Sequence, residues 1–362
     1  MGKELSIYLH WPFCKSKCPY CDFFSQVKRN INQDEIINSY IKQLIRYKEM
    51  LPDKNIASVF FGGGTPSLIT PQNISRLLNK INELWTVSKD CEISLEANPN
   101  TQTPTLFQDL RNAGINRLSL GVQSFDDNYL KFLGRTHTSK QAISSIEEVI
   151  KNFDNHSIDL MYALPDQSKQ NWLTQLSLAT NFGLKHISLY QLMIEENTAF
   201  YKKGFKGLDE EKANELYLLT EDYLNAKGYQ RYEVSNYAQP DFQSVHNKAY
   251  WLGKDYIGIG KSAHGRLKID NKHYALTDPI NMEELSNEER AEELIIMNLR
   301  LTEGISKQNF YQICGINFDD FVNRDFVKEA VAKGLLINNK DTLKATLEGF
   351  MLLDYLILGL CS

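Results

Sequence analysis

The stretch CKSKCPYCDFF places three cysteines at positions 14, 18 and 21, in the spacing C-x3-C-x2-C. Thiolates set this close bind soft metals, chiefly zinc and iron–sulfur clusters. A structural zinc site pairs such cysteines with a second, distant pair of Cys or His ligands, and the chain has no second pair at ligand spacing. A [4Fe–4S] cube usually takes four cysteines. Three would hold three irons and leave the fourth open to an exogenous ligand, which gives the site a catalytic character. The other cysteines, Cys91, Cys314 and Cys361, are scattered and read as apolar fillers. The N-terminal MGKELSIYLHWPF lacks the pattern of a secretory signal. Free cysteines in a chain of 362 residues then predict a reducing cytoplasm.

The elements that must position these cysteines follow a rhythm. Six β-rich runs lie at 5–13, 57–65, 91–99, 117–125, 157–165 and 186–193. Between them, apolar residues recur three and four apart, as in DEIINSYIKQLIRYKEML, NISRLLNKINELW, TPTLFQDLRNAG and SKQAISSIEEVIKN. Strands alternating with helices imply parallel pairing with right-handed crossovers. Six units predict an α/β fold, a partial (β/α)6 barrel over residues 1–230. A doubly wound open sheet has the same rhythm and is the alternative. In a barrel the site lies where the strands end, and Cys14, Gly62 to Thr65, Glu96, Gln123 and Asp159 fall there. Residues 231–284 read as a barrel extension, opened by a strand at 228–238. Residues 285–362 read as a smaller, mainly helical, winged-helix-like C-terminal domain with a hairpin within 332–346. The apolar FMLLDYLILGL (350–360) contains Asp354 and is shorter than the ~20 residues of a membrane span, so it reads as a buried terminal helix. The net charge of −5 argues against a nucleic-acid partner.

C-x3-C-x2-C with an aromatic, Tyr20, before the last cysteine resembles the signature of the radical S-adenosylmethionine (SAM) superfamily. The resemblance implies a [4Fe–4S] cluster on Cys14, Cys18 and Cys21. It also implies that SAM chelates the open iron and is cleaved on one-electron reduction. GGGTP (62–66) has neither a P-loop nor a dinucleotide-binding pattern; its glycines leave a backbone bare enough for close approach of a ligand.

Further stretches, IYLHWPFC, FFGGGTPSLI, SLEANP, GVQSF, LGRTH, IDLMYALP and GIGKSAHG, resemble the branch of oxygen-independent coproporphyrinogen III oxidase and its relatives. Carried over, Tyr8, Tyr20, Gly63, Gly64, Thr65, Glu96, Gln123, Arg135 and Asp159 are the SAM contacts, some of them for a second SAM. Two departures weigh against the oxidase reaction, the conversion of coproporphyrinogen III to protoporphyrinogen IX, which stands as the alternative function. The oxidase has a further cysteine where this chain has Phe23, and a long N-terminal extension where seven residues precede Tyr8. HNKAYW (246–251) instead matches the H-N-x-x-Y-W pattern of the heme chaperone branch, HemW. That resemblance implies heme as cargo, His246 as its iron ligand, and Asn247, Tyr250 and Trp251 as companions. It also implies a heme-acceptor protein, membrane-bound respiratory proteins among the candidates. Imidazole is a standard axial ligand of heme iron. His10 and His264 are further candidate ligands. The sequence leaves open a homodimer and peripheral contact with a membrane.

Overall fold

The computed structural model describes residues 3–99, 105–277 and 281–361. Six parallel strands form its centre: β1 (Glu4–Trp11), β2 (Asn55–Gly63), β3 (Thr86–Ala97), β4 (Arg117–Gln123), β5 (Asn155–Tyr162) and β6 (His186–Gln191). Helices α1 (Gln33–Met50), α2 (Pro71–Leu84), α3 (Leu106–Asn112), α4 (Ser139–Asn152) and α5 (Lys169–Asn181) connect them, and α6 (Glu210–Ala226) follows β6. Five of these helices, all but α3, start on a side-chain cap that the sequence supplies. Thr70 accepts from Asn73 N ahead of Pro71, and Thr138 and Gln141 form a reciprocal capping box. The start of TPTLFQDLRNAG lies outside the described residues; Gly114, at its end, has φ +112°, which favours glycine and stops α3.

The sheet continues beyond the six strands at both edges. Its order is β12-β11-β10-β9-β1-β2-β3-β4-β5-β6-β8-β7, with β7 (Gln230–Glu233), β8 (Asn236–Ala238), β9 (Tyr256–Ile259), β10 (Gly265–Ile269), β11 (Lys272–Thr277) and β12 (Asn281–Leu285). The stretch 228–238 is therefore a hairpin, not one strand. Its turn is held by Glu233, whose carboxylate accepts from Ser235 N at 2.9 Å and from Asn236. The β1 edge is extended by β9, parallel to β1, and then by antiparallel strands.

Period-two alternation sorts the strand residues. Leu5, Ile7 and Leu9, Val59 and Phe61, Leu118 and Leu120, Ile158 and Leu160 are buried under the helices. The other row faces the barrel lumen and is polar: Ser6, Tyr8 and His10, Ser58, Glu92, Ser94 and Glu96, Arg117 and Ser119, Ser157 and Asp159, His186 and Ser188. Apolar burial at roughly 25 cal/mol per Å² drives the outer layer; the inner row needs partners for its polar atoms.

Helix α7 (Val245–Trp251) supplies them near the strand starts. The Glu92 carboxylate accepts from Ser244 Oγ (3.2 Å), Val245 N (3.1 Å) and His246 N (3.1 Å), and lies 3.9 Å from Arg117 Nε. Thus a buried acid from β3 satisfies the free N–H groups at a helix start.

A second core, with Leu294, Leu299, Phe310, Phe318, Leu343 and Leu356 at its centre, belongs to the C-terminal part. There α8 (Asn287–Asn298), β13 (Ile305–Ser306), α9 (Lys307–Cys314) and α10 (Arg324–Ala332) precede the hairpin of β14 (Leu336–Asn338) and β15 (Thr342–Ala345). The sheet order β13-β15-β14 is that of a winged helix. The last helix, α11 (Leu353–Cys361), buries Leu353, Leu356 and Leu360 but leaves Leu358 71% exposed. It is thus amphipathic and half covered, not the buried helix its composition predicts. Among the described residues no helix is long and apolar enough to cross a membrane.

Removing the Glu92 carboxylate takes the acceptor from the α7 start and the nearest acid from Arg117, which keeps its bonds to Asn155 Oδ1 and the Phe242 carbonyl. Glu92→Ala is expected to cost about 3–5 kcal/mol of stability, read as a lower denaturation midpoint; a loss below ~1 kcal/mol would show that the clamp is not what holds α7.

Candidate functional site

The cysteine loop crosses the open end of the barrel, where β1 ends. Phe13 and Cys14 pair with Gln26 and Val27, which brings the loop back on itself. His10 Nε2 bonds the Phe24 carbonyl at 2.9 Å, and Cys21 N donates to Cys18 O at 3.2 Å. From the far side, Phe200 N donates to the Pro19 carbonyl at 2.9 Å, and the Phe200 ring meets Tyr20 at 6.5 Å. Arg135 ties the loop to the lumen: it donates to Cys18 Sγ at 3.5 Å, to the Gly121 carbonyl at 2.8 Å, and to Asn98. Asn98 in turn donates to Thr65 Oγ1 at 3.3 Å. Thr65, Asn98 and Arg135, with Lys15 and Ser16, are among the residues that bound a small cavity of about 30 Å³ beside Cys18.

Cys14, Cys18 and Cys21 are free and partly accessible. Among the described residues no three His, Cys, Asp or Glu side chains converge as ligands of a single ion would. The loop suits three separate irons of a cluster better than one zinc. Burial pushes the Cys21 thiol up to about 11, so metal binding there must displace a proton. The donor set therefore fits an iron–sulfur cube with one iron left to another ligand.

GGGTP reads differently in three dimensions. A Cβ on Gly63 would meet the His10 ring at 2.6 Å, and one on Gly64 would meet the Phe13 carbonyl at 2.6 Å. Gly64 N and Thr65 N donate to the carbonyls of Trp11 and Phe13 at 2.7 and 2.9 Å. The room these glycines clear is taken by the protein's own β1 end, and it fixes the start of the cysteine loop.

Below the loop the lumen carries Tyr8, Glu96, Gln123 and Asp159 together. Glu96 pairs in register with Ser119, and Asp159 with Gly121 and Ser188. Ser119 Oγ donates to Asp159 at 2.9 Å. Desolvation in the lumen, then the neighbouring Asp159, pushes the Glu96 carboxyl up to about 8, against a bond from the Gly63 N–H that lowers it. Asp159 is raised too, by burial, with Ser119 and Ser188 opposing. Gln123 sits at the end of β4 with φ +66°, an uncommon backbone state that clusters at functional sites. Ser94 Oγ is buried without a partner. The lumen thus offers two carboxyls and an orphan hydroxyl, suited to a ligand carrying hydroxyl, ammonium or sulfonium groups. The sequence reading omitted Ser94, Asn98, Ser119 and Ser188. Their signal was the polar row of each strand, which shows a ligand-facing surface only once the barrel is closed.

His246 is elsewhere. It is 1% exposed, deeper in the lumen than the Tyr8 and Glu96 layer. Its Nδ1 bonds Ser58 Oγ at 2.8 Å and its Nε2 bonds Tyr250 OH at 2.6 Å, while its ring stacks on Phe60 at 5.0 Å. Burial lowers its pKa to about 3, so the ring is neutral, and one N–H and one lone pair meet both partners. In this packing both ring nitrogens of His246 are hydrogen-bonded. The companions are engaged likewise: Tyr250 meets Tyr256 edge-on at 4.5 Å, Trp251 lies under Arg300 at 4.8 Å, and Asn247 N is capped by Ser244. The structure gives HNKAYW a scaffolding place between β2 and β9.

The barrel, the strand-end site and the cysteine loop define a radical SAM protein. Residues 8–178 match the family model of the radical SAM superfamily, and residues 285–352 that of the HemN C-terminal domain. A heme chaperone HemW of Buchnera aphidicola (from Schizaphis graminum) is 35% identical over 98% of this chain and 97% of its own length. The HemW of Bacillus subtilis is 32% identical over 96% of each chain. A mitochondrial radical S-adenosyl methionine domain-containing protein 1 of Bos taurus is 33% identical over 100% of this chain and 88% of its own. The chain belongs to the HemW family within that superfamily. The coproporphyrinogen III oxidase HemN of Escherichia coli has the same fold, with a TM-score of 0.83 over 100% of this chain and 91% of its own, at 20% identity.

The Glu96 shift has a sign. A carboxyl held near 8 in the folded chain against an ordinary 4.5 contributes stability that is whole below 4.5 and lost as pH rises through about 8. The metal-free chain is therefore expected to melt at lower temperature as pH rises across that window, and Glu96→Gln to flatten the fall. Parallel melting profiles for the two proteins would refute the assignment.

Proposed function

We propose that this chain is a heme chaperone: it holds a [4Fe–4S] cluster on Cys14, Cys18 and Cys21 and SAM in the lumen, binds heme, and passes it to an acceptor protein. The single observation that carries the reading is likeness over nearly the whole chain to proteins named heme chaperones, at 35% identity. Family membership implies the cluster and SAM; heme and its transfer are the inference.

On this reading Tyr8, Glu96, Gln123 and Asp159 line the SAM pocket, with Gly63, Gly64 and Thr65 shaping its wall. Arg135 orients Cys18, and Tyr20 packs under the loop. Bound there, the cluster supplies an iron with an open coordination place. The chain's own residues do the positioning: Arg135 fixes a thiolate, and Glu96 and Asp159 present negative charge to a cation once ionised. The outer rim suits a flat apolar cargo. Phe23, where the oxidase branch has cysteine, is 58% exposed beside the cluster loop, and Met193 is 63% exposed past β6. A heme-dependent acceptor, respiratory membrane proteins included, is the partner that such a carrier needs.

The test is anaerobic and uses the full chain with its cluster reconstituted. Hemin is expected to give a shifted Soret band, and coproporphyrinogen III with SAM and reductant to give no protoporphyrinogen IX. Cys18→Ala is expected to lose the cluster absorbance. Product formation from coproporphyrinogen III, or no Soret shift with an intact cluster, would sink the carrier reading.

A further inference from the structure

The sheet face that carries the lumen row continues past β9. Ser6 of β1 lies opposite Tyr256 of β9, and Tyr256 opposite Arg266 of β10. Side chains alternate along a strand, so Lys268 shares that face with Arg266. His273 of β11, opposite Lys268, and Leu285 of β12, opposite His273, share it too. Here the face is covered by the C-terminal part, which has its own core. Between the two lies a cavity of about 800 Å³, walled on the far side by Arg290 of α8 and by Asn309, Gln312 and Ile313 of α9. That size, at a seam between separately cored parts of a chain, is the setting of small-molecule sites.

The charges around this cavity do not cancel. Lys254 pairs with Glu4, Lys248 with Glu303 and Lys54 with Asp255. Arg266 and Arg290 share one carboxylate, that of Glu293, at 2.7 Å from each, and Glu283 also acts on Arg266. Lys268 has no carboxylate partner among the described residues. Its ammonium donates to the Ile313 carbonyl at 2.9 Å, and His273 Nε2 donates to the same carbonyl at 2.9 Å. A carbonyl has two lone pairs, and both are taken, so two N–H groups of the ammonium remain. Burial, then the Lys268 and Arg290 charges, lowers the pKa of His273 against its bond to Ile313. The ring is therefore neutral, and with its proton on Nε2 its Nδ1 lone pair is left over. The side-chain amides of Asn309 and Gln312, three apart on α9, have no hydrogen-bond partner among the described residues. The cation that is free decides which anion fits. A carboxylate is matched by the fork of an arginine, and both forks here are closed on Glu293 and on the carbonyls of Gly265 and Gly253. A lysine ammonium is a point charge that serves a phosphate. We infer that this cavity binds a small phosphate ester of mononucleotide size, its phosphate on Lys268, a hydroxyl donating to His273 Nδ1, and its body between Leu252, Leu285 and Ile313 within reach of the two amides. The inference is independent of the heme reading.

The experiment is an anaerobic calorimetric titration of the full-length, cluster-reconstituted protein with AMP, ribose 5-phosphate and inorganic phosphate. Saturating SAM is present throughout, so that the lumen does not contribute. At least one of the two esters is expected to bind at a single site with a dissociation constant below ~1 mM, and inorganic phosphate more weakly. Lys268→Gln removes the charge while its amide keeps a donor for the Ile313 carbonyl, and it is expected to weaken the ester at least about tenfold. Asn309→Ala has no side-chain bond to lose, so it is expected to keep the wild-type melting temperature and to weaken the ester about threefold or more. No saturable binding of either ester overturns the inference, and so does an affinity that Lys268→Gln leaves unchanged; should that variant not fold, Asn309→Ala decides by the same measure. A lower melting temperature for Lys268→Gln with full ester affinity assigns Lys268 to the joint between β10 and α9 alone and overturns the site. Inorganic phosphate binding as tightly as the esters means an adventitious ion only and overturns it as well.

Discussion

A barrel whose inner row is polar has to satisfy that row or remain open, and this requirement organises the molecule. Serines, histidines, acids and an arginine face the lumen of β1 to β6. At the end where the strands start, α7 closes the space, with Glu92 accepting three hydrogen bonds from its first turn and Ser58 bonding His246. At the other end no such helix cap is made, and Ser94 Oγ is buried without a partner beside the two buried carboxyls, Glu96 and Asp159. The closed end is stable because its polar groups are matched to one another. The open end keeps an orphan hydroxyl and two desolvated carboxyls, which makes it the candidate site.

This division also places the HNKAYW stretch: in three dimensions it is the plug, where His246 joins β2, α7 and Tyr250 in one buried network. The common fold with an oxidase does not choose between carrier and enzyme, because one barrel serves many chemistries. What differs is side chains at the rim, Phe23 among them.

Much of this architecture was legible in order along the chain. The six strands fall within a few residues of where the β-rich runs predict them, since alternation and three-four spacing are local patterns. The cysteine spacing pointed to soft-metal chemistry because all three candidate ligands lie within one loop. The roles of Gly63, Gly64 and His246 were not legible, nor was the half-exposed face of α11. Each depends on a partner distant in sequence: His10 and Phe13 for the glycines, and Ser58, 188 residues away, for His246.

By itself, then, the sequence determined the strand and helix alternation, the three-cysteine loop and the family. Only the tertiary structure decided which polar side chains are spent on one another and which remain for a ligand. Residue type and spacing state what a side chain is able to bond. Whether that capacity is already used depends on which strands and loops the fold brings against it, as Ser58 and Tyr250 are brought against both ring nitrogens of His246.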